Sequence, residues 1–165
     1  MKVLVVNSSP LITLAKSDLL HLLIDSNHKI IIPADVFAEV MHTEKNDAIH
    51  KYFTNLEKFI HSEYSITADV KNWGLGKGES SVISSARNIE NSFVVIDDLE
   101  ARRCARFYNL NMIGTLGIIL TAKKENKIKS AKDAIQKLLY SGLYLDQGLI
   151  EKVLRESVNE EWERI

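Results

Sequence analysis

The chain has 165 residues, 45% hydrophobic and 26% charged, the balance of one soluble globular domain with a core to bury. This excludes a disordered tail, a collagen-like repeat and, with Cys104 the lone cysteine, a disulfide scaffold. Lysine and arginine total 21 against 22 aspartate and glutamate, a net charge of −1, so any nucleic-acid role must rest on a local patch or on metal ions that offset carboxylates.

Val3 to Val6 is a short apolar run and reads as a buried strand. Asn7 ends it too early for a signal peptide. No apolar run approaches the ~20 residues that span a bilayer, so no membrane role is expected, and the expected compartment is the reducing cytoplasm. After Asn7-Ser8-Ser9-Pro10 a helix runs through Leu11, Leu14 and Ala15, with Pro10 where a helix tolerates a missing N–H. Ile30 to Ile32 is a second strand. Pro33 then stands where a helix can open, and Val36, Phe37 and Val40 recur at helical spacing. Asn46 to Ile60 repeats apolar residues at Ile49, Phe53, Leu56 and Ile60 and predicts one amphipathic helix.

Trp73 to Gly78 is a glycine-rich turn, followed by a predicted helix over Glu79 to Asn88 that places Val82, Ile83 and Ala86 on one side. Phe93 to Ile96 is the strongest strand and stops at Asp97-Asp98. A helix from Leu99 to Tyr108, a strand at Met112-Ile113 and a helix from Thr115 to Lys124 follow. Helices near Ala131 to Tyr140 and Gln147 to Glu156 finish the chain. Strands alternating with helices predict an α/β fold, a short parallel sheet flanked by helices. No repeat or linker divides the sequence, so one domain is expected over residues 1–165, with the helices of 131–156 part of it.

In open parallel sheets, sites form beyond the carboxyl ends of the strands. Three strand ends here carry polar clusters: Asn7-Ser8-Ser9, Asp97-Asp98 and Gly114-Thr115. Glu39, about two turns into a helix, and Glu79, opening another, can join them. Carboxylates brought to one edge repel unless a cation sits between them, and hard divalent ions such as Mg²⁺ or Mn²⁺ suit oxygen donors. Each residue has a plainer reading. Asp97 with Glu100 three positions on is a helix-capping pair. Glu79 complements a helix dipole, and Glu39 is a solvated position on an amphipathic helix. Arg102, Arg103 and Arg106 start beside the acidic edge, which suits them to phosphate contact; Arg102 pairing with a neighbouring carboxylate is the alternative.

Other patterns carry less. Gly74-Leu75-Gly76-Lys77-Gly78 lacks phosphate-loop spacing, and no apolar strand leads into it. Glu39 and His42 make a single Glu-x-x-His where a di-metal bundle needs two. The five histidines show no zinc spacing. Cys104 reads as a buried helical residue.

Taken together, Asn7-Ser8-Ser9-Pro10-Leu11-Ile12, Ile32-Pro33 with Val36 to Val40, Gly76 to Ser80, Val95 to Arg102, Gly114-Thr115-Leu116-Gly117 and Gly142-Leu143-Tyr144-Leu145 resemble a PIN domain. Within that family the chain is similar to small prokaryotic PIN-like proteins related to VapC-type toxins. The resemblance implies a metal-dependent ribonuclease using Mg²⁺ or Mn²⁺, often held inactive by a small antitoxin. Residue by residue, it implies Glu39, Glu79 and Asp98 as catalytic acids and Asn7, Glu39, Glu79, Asp97 and Asp98 as the metal-ligand set. It implies Ser9 as the small hydroxyl residue near the phosphate, with Arg102 and Thr115 as further substrate contacts. Asn7 stands where the family has its first aspartate, and an amide oxygen binds Mg²⁺ less strongly than a carboxylate. A homodimer is expected, through apolar residues of the segments Leu19 to Ile24 and Ile49 to Ile60. Two other readings stay open: a PIN-like module that binds RNA or protein without cleaving, and a small-ligand or nucleotide-binding α/β domain unrelated to nucleases.

Overall fold

A computed structural model describes residues 1–43 and 47–164 of the chain. Five strands, β1 (Val3–Val6), β2 (Lys29–Pro33), β3 (Ile60–His61), β4 (Ser92–Val95) and β5 (Asn111–Ile113), form one parallel sheet in the order β3-β2-β1-β4-β5. The register sets Val5 between Ile31 and Val94, and Val94 against Met112. Val5, Val6, Ile32, Val94 and Val95 are fully buried, as expected of parallel strands covered on both faces. The chain runs outward from β1 through β2 to β3 and then returns to the other side of β1. The boundary between β1 and β4 is therefore the point where strand order reverses, the place where open α/β sheets form crevices.

The helices are α1 (Ser8–Lys16), α2 (His21–Ile24), α3 (Ala34–Thr43), α4 (Asp47–Thr54), α5 (Ala68–Lys71), α6 (Lys77–Ala86), α7 (Leu99–Phe107), α8 (Thr115–Lys124), α9 (Ala131–Tyr140) and α10 (Gln147–Val158). Their starts follow local chemistry. Asp98, Ser130 and Asp146 each accept the backbone N–H three residues on, opening α7, α9 and α10. Asn159 takes the left-handed conformation that ends α10. Helix α6 lies over β1, β2 and β4, and α9 and α10 pack on α8, so the last helices share the core through Ile135, Leu138, Ile150 and Leu154.

Two expectations are corrected. The single helix predicted over Asn46 to Ile60 ends at Thr54, passes through a 3₁₀ turn at Glu57–Phe59 and becomes β3 at Ile60; Asn46 and the side chain of Ile49 lie outside the described residues. Phe53 and Leu56 do fill the core, but Ile60 pairs with Ile32 at the sheet edge. A two-residue strand carries no period for the sequence to display. Pro33 closes β2 instead of opening α3. Of the apolar residues expected to be spare for self-association, Leu19, Leu20, Leu22, Leu23, Phe53 and Leu56 lie in the core, while Ile24 and Ile60 are half-buried.

Candidate functional site

The polar residues at the carboxyl ends of β1 and β4 form two halves of one edge. On the β1 side, Asn7 follows the strand directly, accepts no bond on its side-chain oxygen and is 2% exposed. A buried amide oxygen without a donor is costly, and here it faces a shared hollow. Gly78 in the first turn of α6 supplies that hollow. A Cβ at Gly78 would sit 2.5 Å from Glu39 Oε2 and 3.3 Å from Asn7 Oδ1, so only glycine lets α6 approach both oxygens.

Glu39 reaches the hollow from α3, and Ser8 Oγ donates to its Oε1 at 2.9 Å. Helices α3 and α6 are held together beside it, where Ser81 Oγ donates to Asp35 Oδ2 at 2.6 Å and Lys77 Nζ lies 2.8 Å from Asp35 Oδ1. The lysine and serine bonds hold the Asp35 carboxyl below its ordinary value.

Glu79, half-buried, accepts the Gly76 N–H at 3.0 Å through Oε2, a backward bond that fixes the start of α6. Burial pushes its carboxyl above the usual carboxylate value, and the charges of Asp98 and Glu39 add to the rise; the Gly76 N–H works the other way. Glu79 thus feels both of the other predicted acids across the β1–β4 boundary.

The β4 side is different. Asp97 accepts twice from Thr115: the backbone N–H reaches Oδ1 at 2.8 Å and the hydroxyl reaches Oδ2 at 2.5 Å. Thr115 is fully buried, so its hydroxyl positions Asp97. Asp98 caps α7, taking the Ala101 N–H on Oδ1 at 2.8 Å. This corrects the cap expected from Asp97 and Glu100: the capping residue is Asp98, and Asp97 turns to the start of α8. Arg102 Nη1 donates to the Ile96 carbonyl at 3.1 Å, which keeps the guanidinium beside Asp97 and Gly114. Ser9 is exposed on the first turn of α1, and it is its neighbour Ser8 that holds Glu39. Cys104 is buried, which pushes its thiol up to about 11, too high for a nucleophile at neutral pH.

Among the described residues, no three His, Cys, Asp or Glu side chains are gathered closely enough to hold a metal by themselves. The hollow nonetheless suits a hard cation, for its donors are all oxygens and one of them, Asn7 Oδ1, is buried without a partner. Sequence reasoning missed Ser8, Asp35 and Gly78. The first two look like ordinary helix-start residues. Gly78 falls in a glycine-rich stretch whose purpose shows only when α3 is placed against it.

The chain matches the family model DUF3368, described as a PIN domain, over residues 3–160. The protein belongs to the PIN domain family. PIN domains are generally nucleases, hydrolases that act on nucleic acid and usually use divalent metal ions. No curated protein matches the chain. No helix among the described residues is long and apolar enough to cross a membrane.

Proposed function

We propose that this PIN domain is a Mg²⁺- or Mn²⁺-dependent endoribonuclease of VapC-like type, weakened by Asn7 and working in the cytoplasm. The observation that carries the reading is the partnerless Asn7 oxygen facing Glu39 across Gly78, with Asp98 and Glu39 close enough for their charges to raise the Glu79 carboxyl. Asn7, Glu39, Glu79 and Asp98 would hold the ion, with Asp97 behind them. A bound divalent ion supplies a more acidic water and charge neutralisation at the phosphate.

The chain's own residues do the rest. Ser8 orients Glu39. Glu79, whose carboxyl burial raises, is placed to accept a proton from a water on this edge. Arg102, held by the Ile96 carbonyl, presents its remaining N–H groups to a phosphate oxygen, and Ser9 is exposed on the same edge. A small protein inhibitor and self-association belong to the same proposal. A groove of about 730 Å³ beside Asp97 and Arg102, walled by Leu99, Leu116, Leu143 and Leu149, supports the inhibitor.

The second reading, a module that binds RNA or protein without cleaving, is favoured by Asn7 itself, which removes one negative charge from the ligand set. One experiment separates the two. Millimolar Mn²⁺ is expected to raise the melting temperature in proportion to log concentration once the site saturates, and single-stranded RNA is expected to be cut in Mn²⁺. Glu79→Gln with Asp98→Asn should abolish both. Melting indifferent to Mn²⁺ defeats the nuclease reading; a melting response without cleavage leaves the binding module.

A further inference from the structure

We propose that the outer face of α7, together with Trp73, is a stacking platform that guides single-stranded RNA to the acidic edge; this rests on the nuclease reading and assigns the surface that its substrate crosses. Two large aromatic side chains are presented to solvent side by side. Phe107 at the end of α7 is 67% exposed and Trp73 36% exposed, and their rings meet edge to face with centroids 5.5 Å apart. Leaving most of the Phe107 ring and part of Trp73 in water forgoes some of the hydrophobic gain that aromatics ordinarily provide.

The pair is held rigid from behind. The Tyr108 ring meets Phe107 edge-on at 5.1 Å, the Arg87 guanidinium lies 4.1 Å over the Tyr108 ring, and Asp69 Oδ2 accepts from Arg87 Nη1 at 2.7 Å. The bond from Thr67 and the Arg87 guanidinium hold the Asp69 carboxyl down to about 2, so this brace keeps its charge at any working pH. A braced, solvent-facing aromatic pair is what sequence-tolerant base stacking uses.

Charge and continuity identify the ligand. Leu99, Arg103 and Phe107 recur every four residues and so form one stripe along α7, about 12 Å long at the helical rise. The stripe starts next to Asp98, the cap of α7, and ends at the aromatic pair. Trp73 lies on the chain that leads into Gly78 and Glu79, so both rings are tethered to the elements that carry the acids. Helix α7 has three arginines and one glutamate. Among the described residues Arg103 pairs only with Glu100 on the same exposed surface, an ion pair that costs little to exchange for a phosphate. Arg106 is exposed one residue before Phe107. Basic side chains between an acidic edge and stacked rings fit a flexible polyanion whose bases can turn outward. They do not fit a duplex, whose bases are already stacked.

Binding is measured on the full chain in EDTA, where nothing is cut, with an RNA of roughly twelve nucleotides, within the span such platforms cover. Trp162 is buried, with Nε1 donating to Gln147 Oε1, so fluorescence quenching by RNA reads Trp73, and Trp73→Phe serves as the blank. The single strand is expected to quench, and the same strand in a duplex is expected to bind at least tenfold more weakly. Phe107→Ala, a change on the surface that leaves the core intact, should weaken single-strand binding by about 5- to 150-fold, the equivalent of ~1–3 kcal/mol for one stacked base, and Phe107→Tyr should restore it. Arg106→Ala should lower the salt slope by about one ion. Single-strand affinity unchanged within twofold in Phe107→Ala overturns the platform, as does equal affinity for the duplex. Burial of Trp73 in a second copy, seen as a concentration-dependent change without RNA, overturns it too. The two readings fail separately: cleavage in Mn²⁺ with Trp73 silent defeats the platform alone, and quenching in EDTA without cleavage in Mn²⁺ defeats the nuclease alone.

Discussion

The two halves of the acidic edge are built from similar residues and solved in opposite ways. On the β4 side every described acid is satisfied by backbone or hydroxyl donors: Asp97 by both donors of Thr115, and Asp98 by the first turn of α7. On the β1 side Asn7 Oδ1 has no donor, and the Glu79 carboxyl is raised by burial beside other acids. A carboxylate that caps a helix stabilises the fold whatever else it does. A buried acceptor left bare, next to a carboxyl raised by burial and by neighbouring acids, weakens the fold, and a cation relieves both at once. The contrast marks Asp97 and Asp98 as parts of the architecture, and on the proposed reading the β1 side adds the donors that a ligand would satisfy.

Gly78→Ala is the sharpest way to break this contrast. The new Cβ meets the far end of a flexible Glu39 side chain, so the fold should survive, and helix propensity even favours alanine by about 1 kcal/mol. Glu39 must leave the hollow, however. Melting temperature is expected to hold or rise while RNA cleavage falls by about 100-fold or more, the range lost when a positioning contact is displaced. A large fall in stability with cleavage retained would mean that the hollow is structural after all.

Asn7→Asp sharpens the comparison from the other direction. It adds the missing charge where desolvation cancels much of the gain, for a net change of roughly 1–3 kcal/mol or about 5- to 150-fold in metal affinity. Without metal the same change puts a charge at the buried Asn7 position beside the carboxylate of Glu39, so the melting temperature should drop in EDTA and recover beyond wild type in Mn²⁺. Titration calorimetry and melting in both buffers check it.

The β4 side is expected to respond in stability. Asp97→Ala strands the buried donors of Thr115, at a cost of about 1–3 kcal/mol by denaturant melting. Thr115→Val in the same background should add little, because the two residues act as a pair. Independent, additive effects would show that Asp97 does not depend on Thr115.

The smallest expected effect is on pH. The Glu79 carboxyl is raised in the folded protein, so its proton binds more tightly there than in the unfolded chain. For this group stability in EDTA should rise as pH falls through the folded value toward 4.5, the ordinary one. Stability should be lower on the alkaline side, where Glu79 is charged in both states. Glu79→Gln should flatten that part of the melting profile and leave the protein slightly more stable at pH 7 without metal. An unchanged profile would show that the Glu79 carboxyl is not raised by burial or by Asp98 and Glu39.

Much of this protein is determined by sequence alone. The apolar runs at Val3 to Val6 and Phe93 to Ile96, the periods through Val36 and Val40, and the alternation of strand and helix establish a parallel α/β domain, because these patterns are local. The helices Thr115–Lys124 and Ala131–Tyr140 fall where their spacing puts them. Acids at strand ends were legible for the same reason, since each follows an apolar run that must stop. Tertiary structure decided the rest. Ile60 left its predicted helix because only the folded sheet offers it an edge next to Ile32. Asp97 turned to Thr115, and Asp98 became the cap, because β4 and β5 lie side by side. Ser8 found Glu39 across 31 residues, and Gly78 acquired its purpose only when α6 came to rest against α3. Hydrogen-bond partners and close approaches between distant segments depend on how the elements pack, and no period along one chain records them.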